Sequence, residues 1–419
     1  MAVATSPAGA SSKQSTHGKS PKTASLKVVA FGLNQPKKIT IGPDGDLVVA
    51  LSGDGAAPST CTDGTQQSCL DNSGAIDLIT PGGNVKTILS GLPSVSSGGP
   101  GAEATGPSEA RFVHGHLQVL FQNTNIDPTT GDETYGSGGS LLGDLVAFSR
   151  HHTSRIEAAF GPFEAANNPD NGAGIGVTLG LESAIDSDPY SFVPYHHGWA
   201  VADAAGNDLL WVSPHGKISV LAVFPTIPEV VPPGTLGPSQ TSPETVQAQA
   251  VPDSIAVGRD GALYVGELGG FPFGVGSSSV YRVYPGHAPK LFATGFTSIG
   301  DIAFDQHGNL LVLEIDQLGL NDPALGGPGL PTPGALISIG RAGKQTTLAT
   351  TGLEFPTGLA VGCHDTAYIS DYGVLSASGG PGGLSGEIVS LQLPSYNFKD
   401  HHRHHGHHGR PRPRPRGHR

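Results

Sequence analysis

The stretch Ile255-Ala-Val-Gly-Arg-Asp-Gly-Ala-Leu-Tyr-Val-Gly266 has a near-copy in Ile302-Ala-Phe-Asp-Gln-His-Gly-Asn-Leu-Leu-Val-Leu313. Each is a short apolar strand, a glycine turn and a second short apolar strand. Asp260-Gly261 reads as a two-residue hairpin turn, because glycine accepts the positive φ such a turn demands. Calling these two strands A and B, further A strands begin near Ile39, Arg111, Ser191 and Leu359.

A third apolar signature, strand C, follows each pair: Ala75 to Ile79, Leu145 to Phe148, Leu209 to Val212, Val280 to Tyr284, Ala335 to Ile339 and Glu387 to Leu391. A fourth, strand D, ends in glycine plus an apolar residue, as in Val85 to Leu92, Lys290 to Phe296 and Thr346 to Leu353. Six units of short antiparallel strands predict an all-β fold, a six-bladed β-propeller with four-stranded blades. The last unit lacks a D strand, and Leu26 to Leu33 carries the D signature ahead of the first. The N-terminal strand is therefore expected to complete the last blade and close the ring, removing its exposed edges. The propeller spans 26–393, between a low-complexity leader (1–25) and a His/Arg/Pro-rich tail (394–419), both expected to be disordered.

Composition agrees. Gly 62 and Pro 35 with 14% charged residues suit many turns and argue against a helical protein. No apolar run reaches the roughly 18 residues of a membrane span. The formal charge of -12 is uneven: from Lys399 onward seven Lys or Arg face one Asp, so the body is strongly acidic. An acidic body excludes electrostatic binding of nucleic acid. Cys61 and Cys69 sit in a polar loop; an exported chain would join them in a local disulfide, and a reducing compartment would leave them free. The leader has no apolar h-region and does not read as a signal peptide.

Insertions concentrate on one face. B–C loops are long at 51–73, 122–143, 268–278, 316–333 and 372–385, and D–A connections at 153–189 and 226–250. In an up-and-down blade both emerge on the same side, here called the upper face, which is where repeat proteins carry binding surface. A short helix is expected within Ser154 to Asn168, and an extended loop over 226–250. Candidate ligand-binding residues are those ahead of A strands (Asn34, Glu109, Asp188, Asp253, Ser298, Thr357) and those at B-strand ends (Asp203, Glu267, Glu314, Asp371). Such carboxylates and amides suit Ca²⁺, with Asp253 the axial candidate, or they cap turns. Asp203 and Asn207 form a local pair whose expected role is to cap the loop between them. The tail residues His401, His402, His404, His405, His407 and His408 are candidate chelators of Zn²⁺, Ni²⁺ or Cu²⁺. No nucleophile elbow, zinc-protease or phosphate-loop motif is present.

The units resemble NHL-type repeats, and the chain more closely resembles the bacterial ScyD/ScyE family of propeller proteins. The resemblance rests on Val251 to Phe273, Gly295 to Phe304, Ala202 to Asn207, and Asn167 to Asp170 with Asp186 to Tyr190. It implies an exported propeller of unassigned activity; the leader, the tail and the Cys61/Cys69 loop depart from the family pattern. The expectation is a monomeric binding or scaffold protein that takes a protein or small molecule on the long-loop face, outside the cell or in its envelope. The alternative is a Ca²⁺-dependent lactonase or esterase resembling the gluconolactonase group, for which Asp253 matches one ligand and Asn34 and Glu109 are available.

Overall fold

The repeated glycine turns do close hairpins, but with a different geometry from the one expected. A computed structural model describes residues 25–55, 69–96, 103–127, 132–180, 183–320, 333–374 and 385–394. In it, the Gly261 amide donates to the Gly258 carbonyl and the Gly258 amide to the Ala262 carbonyl. The loop is three residues, Arg259-Asp260-Gly261, with Gly261 left-handed at φ 78°. Gly45 and Gly308 close the same turn in two other units. The two-residue form occurs in the second and third units, at His114-Gly115 and His196-His197, where all four residues have positive φ.

Six antiparallel sheets form the six blades of the propeller. Blade 6 takes its outer strand from the N-terminal side, β1 (Lys27–Leu33). Blade 1 is β2 (Pro36–Ile41), β3 (Leu47–Leu51), β4 (Cys69–Ile79), β5 (Val85–Ser96) and the short β6 (Ala104–Thr105). Blade 2 is β7 (Pro107–Val113), β8 (His116–Phe121), β9 (Asp144–Phe148) and β10 (Ser154–Ala159), followed by α1 (Phe160–Asn167) and α2 (Ile175–Thr178). Blade 3 is β11 (Pro189–Tyr195), β12 (Gly198–Asp203), β13 (Asp208–Val212) and β14 (Ile218–Val223). A separate hairpin, β15 (Ile227–Val231) and β16 (Glu244–Ala248), precedes blade 4. Blade 4 is β17 (Pro252–Val257), β18 (Leu263–Glu267), β19 (Ser278–Val283) and β20 (Lys290–Phe296). Blade 5 is β21 (Ile299–Phe304), β22 (Leu310–Glu314), β23 (Ala335–Ile339) and β24 (Gln345–Ala349). Blade 6 is β25 (Gly358–Gly362), β26 (Thr366–Asp371), β27 (Gly386–Gln392) and β1, with Lys27 opposite Ser390 and Leu33 opposite Gly386.

Each pair of adjacent blades shares one apolar cluster. Val48, Ala50 and Ile76 of blade 1 meet Val119, Phe121 and Val146 of blade 2, and the other five junctions repeat the arrangement. Burying a Val, Leu or Phe contributes about 1.5–3 kcal/mol, so the blades are held mainly face to face.

Three local expectations are corrected. Only the second half of Ser154 to Asn168 is helical. Its first half pairs with β9 as the outer strand of blade 2, since that edge needs a partner before the chain can leave. Residues 226–250 contain a hairpin in which Val231, Val246 and Ala248 are buried; alternation of buried and exposed positions holds it against the body. The blade 1 loop ends earlier than expected, because β4 begins at Cys69. Cys69 is disulfide-bonded and Cys363 is free; Cys61 lies outside the described residues, as do the leader and the histidine tail.

Candidate functional site at the propeller axis

The innermost strands share a local grammar that decides what reaches the axis. Four of them begin with proline (Pro36, Pro107, Pro189, Pro252), and Pro356 stands just ahead of a fifth. Proline has no amide hydrogen, so the first residue of a strand is where it costs the ladder least. Left-handed residues stand just ahead of Pro36, Pro252 and Pro356, at Gln35, Val251 and Phe355, and ahead of Ile299, at Ser298. The carbonyls of Gln35, Gly106, Val251 and Ser298 each accept an amide from just beyond the neighbouring B strand. A register shift follows in blades 1 to 5, re-aiming the next side chains. Lys37, Lys38, Ser108, Glu109, Tyr190, Ser191, Asp253, Ser254 and Asp301 lie at these shifts.

Lys38 is the centre of the group. Its side chain is almost wholly buried. The ammonium donates to the Gly300 carbonyl, pairs with Asp301 Oδ1 at 3.2 Å and lies 5.2 Å from the centre of the Tyr190 ring. Asp301 is saturated: Oδ1 also accepts the Ile302 amide at 2.9 Å, and Oδ2 accepts the Leu359 amide of blade 6 at 2.7 Å. Glu109 occupies the equivalent position in blade 2 and behaves likewise. Its Oε2 accepts the Ser191 hydroxyl and the Phe192 amide of blade 3, both at 2.9 Å, while Oε1 pairs with Arg111. These two carboxylates fasten one innermost strand to the next.

Asp253 is different. It is buried, and its Oδ1 has no hydrogen-bond partner. Burial pushes its carboxyl up to about 8, with the Lys38 charge opposing and the Asp301 charge adding to the effect. Tyr190 is raised well above its ordinary value by burial and by the charges of Glu103, Asp253, Asp188 and Asp301. Below this group, toward the A–B turns, a cavity of about 300 Å³ runs along the innermost strands. Its walls include Ile39, Val193, Ile255, Ile302 and Leu359, and its polar end is made by Lys38, Glu109, Arg111, Ser191 and Asp301.

Most of the other expected site residues do not converge here. Glu314 Oε1 accepts the Thr297 amide at 2.9 Å, and Asp371 Oδ1 accepts the Glu354 amide at 2.7 Å. Asp203 accepts the Ser187 hydroxyl and the amides of Asp188 and Gly206. All three B-strand ends thus hold backbone and latch the incoming D–A connection. Asn207 holds the Val251 amide and donates to Asp170 and Gln249. Glu267 is buried at the end of β18, its carboxyl pushed up to about 9 by burial. Asn34, half-buried ahead of β2, is engaged in a contact of its own. Ser298 and Thr357 flank their strands, and the Thr357 hydroxyl donates to the Pro36 carbonyl at 2.7 Å. Lys37, Lys38, Arg111, Tyr190 and Asp301 were not expected from sequence.

A divalent ion does not fit the axis. The ammonium of Lys38 lies against Asp301 and its charge acts on Asp253, while Glu109 and Asp301 spend their oxygens on strand amides and on Arg111 and Lys38. Among the described residues no group of three or more His, Cys, Asp and Glu is gathered to hold a metal ion. No helix among them is long and apolar enough to cross a membrane.

A second pocket, about 340 Å³, opens on the upper face between blades 2, 3 and 4, lined by Asn123, Asp186, Asp188, Gln249 and Phe273 among others.

No protein-family profile matches the sequence, and no curated protein matches it. Among solved structures the chain is similar to a gluconolactonase from Xanthomonas campestris (10% identity, TM-score 0.46, covering 88% of this chain and 90% of that one). It is similar to a regucalcin, a calcium-binding protein from Agrobacterium tumefaciens (10%, 0.45, 87% and 95%). It is also similar to a streptogramin B lyase (12%, 0.44, 88% and 98%). Likeness at these identities concerns the fold alone.

Proposed function

We propose that the protein works on a small carbonyl compound at the propeller axis, as a hydrolase of a lactone or ester that uses Lys38 where a metal-dependent propeller would use its ion. The observation that carries this reading is a cavity with a buried lysine at its polar end, whose charge reaches a buried carboxylate, Asp253, that has an unpartnered oxygen. The cavity takes the apolar body of the substrate and Lys38 stabilises the developing oxyanion. Asp253, with a pKa near 8, takes the proton from the attacking water, and that proton then leaves with the alkoxide. The ScyD/ScyE resemblance stands beside this reading as the proposed family, and export as the proposed destination.

The test is hydrolysis of gluconolactone and a series of nitrophenyl esters by chelator-treated protein. Turnover should rise with pH through about 8 and fall about 10²–10⁴-fold in Asp253→Asn. No turnover of any substrate, or equal turnover in the variant, overturns the hydrolase. The upper-face pocket favours a second reading, a non-catalytic protein that binds a small molecule with an apolar body beside Asp186 and Asp188. Ligand-induced thermal shifts lost in Asp188→Asn and kept in Asp253→Asn would favour it.

A further inference from the structure

The axial cavity is lined by four charged residues, Lys38, Glu109, Arg111 and Asp301, and three of them are committed to the protein. Lys38 and Asp301 are paired with each other. Glu109 is taken up by the Ser191 hydroxyl, the Phe192 amide and Arg111. Arg111 has donors to spare. It stands two residues beyond Glu109 on β7, so both side chains project to the same side of the strand. A guanidinium carries five N–H donors. Here Nη2 is spent on Glu109, and the group lies over the Phe192 ring, 5.2 Å from its centre. The Nε is buried and has no acceptor. An arginine that only neutralised Glu109 would need one donor, and a buried N–H without an acceptor is destabilising. The side chain as a whole keeps 22% of its surface exposed. The residues in the corresponding place on three other innermost strands, two beyond Lys38, Ser191 and Asp301, are the uncharged Thr40, Val193 and Ala303. The Thr40 hydroxyl is itself spent on the Ala110 carbonyl at 2.6 Å.

We infer that the axial cavity takes a short-chain substrate carrying a carboxylate, and that Arg111 is the residue that selects it. The inference rests on the axial reading proposed above and adds the substrate class to it. A planar guanidinium matches a carboxylate better than any other side chain does. Glu109 keeps its two bonds from blade 3 whatever Arg111 does, so the guanidinium can share its donors between Glu109 and the substrate. Ile39, Val193 and Leu359 then flank the chain between the substrate's carboxylate and the carbonyl at Lys38. A volume of about 300 Å³ is at the small end for ligand pockets and limits that chain to a few carbons. A half-ester of a short dicarboxylic acid, or a lactone bearing a carboxylate, has this form. Arg111 touches no reacting atom. It holds the end of the substrate remote from the scissile bond, an interaction equal in ground and transition states, so its loss should be read in KM rather than kcat.

The experiment compares two esters that differ by one terminal group, para-nitrophenyl pentanoate and the mono-para-nitrophenyl ester of glutaric acid, on the full chain. Hexanoate and hexanamide are titrated in parallel by calorimetry, a readout that needs neither turnover nor a variant. The glutarate ester should have the lower KM, and hexanoate the lower Kd, each by about 10–100-fold, the range expected of hydrogen bonds to a charged group. Arg111→Gln should abolish both preferences. Arg111→Lys keeps a cation beside Glu109 should the glutamine variant not fold, and it should retain only part of each preference, because a point charge does not reproduce the fork. Equal binding of hexanoate and hexanamide by the wild type, or binding of neither, overturns the inference and leaves the hydrolase to stand or fall on its own assay. So does a preference that survives intact in both variants. Hexanoate selectivity that the variants lose, with no ester turned over, upholds the carboxylate site and overturns the hydrolase.

Discussion

Asp301 and Asp208 are both buried aspartates near the start of a blade strand, and they are treated in opposite ways. Asp301 has a lysine, two backbone amides and a place in the seam between blades 5 and 6. Asp208 has no hydrogen-bond partner and carboxylates for neighbours. Burial alone therefore says little about what a charged residue does. Where donors were built around it, the carboxylate is a fastener; where none were, it stores unfavourable energy that a proton relieves.

Removing a partner from the satisfied site should do the most damage. Lys38→Met leaves Asp301 and Asp253 without their cation and should cost about 3–5 kcal/mol in urea unfolding, the usual cost of orphaning one side of a buried ion pair. An unchanged midpoint would show that the axial pair is not what holds the seam. Glu109→Gln tests the same fastener in blade 2. It turns an amide group toward the Phe192 amide and removes the charge facing Arg111, for an expected loss of about 1.5–3 kcal/mol. At the unsatisfied site the sign should reverse. In chelator, Asp208→Asn should raise the unfolding free energy by about 1–3 kcal/mol, because the variant buries no charge; a loss there would mean that Asp208 has a stabilising partner after all.

The comparison also extends to pH dependence. Burial lifts Asp144, Glu164, Asp253 and Asp371 to about 8 and Glu267 to about 9. Between the ordinary carboxylate range and those values the folded chain binds more protons than the unfolded chain. Its stability should be fullest below about pH 4 and fall as pH rises through 8. Urea midpoints at pH 5.5 and 8.5 in chelator would measure the fall, which should be shallower in Asp208→Asn. Stability that climbs over this interval would contradict the assigned direction.

The scaffold was readable because it rests on repetition. Strand length, alternation and glycine placement recur six times, and a missing D strand at one end matched a spare one at the other. The turn type was misread at Asp260-Gly261 because a glycine at φ near 80° ends a three-residue loop as readily as a two-residue one. The axial site was only partly readable. Asp253 and Glu109 stood out as carboxylates ahead of A strands, but nothing in the sequence marks Lys37-Lys38, because lysine is rarely buried without a partner that only the fold supplies. Arg111 was noticed as a strand start and Tyr190 as part of a motif, neither as a neighbour of the axis. Asp144 and Asp208 both stand just ahead of the apolar C signature. Nothing in their spacing distinguishes an aspartate that meets backbone amides, like Asp203, from one that meets none.

The closure of blade 6 has a kinetic side. Lys27 and Ser390, in contact across β1 and β27, are 363 positions apart. During synthesis β1 must wait, unpaired, until nearly the whole propeller has left the ribosome. Its Phe31 and Val28 remain largely exposed even after docking. The ring thus has a single late step that cannot be hurried by local structure, and until that step the edge of β27 is open to any other strand of the same kind.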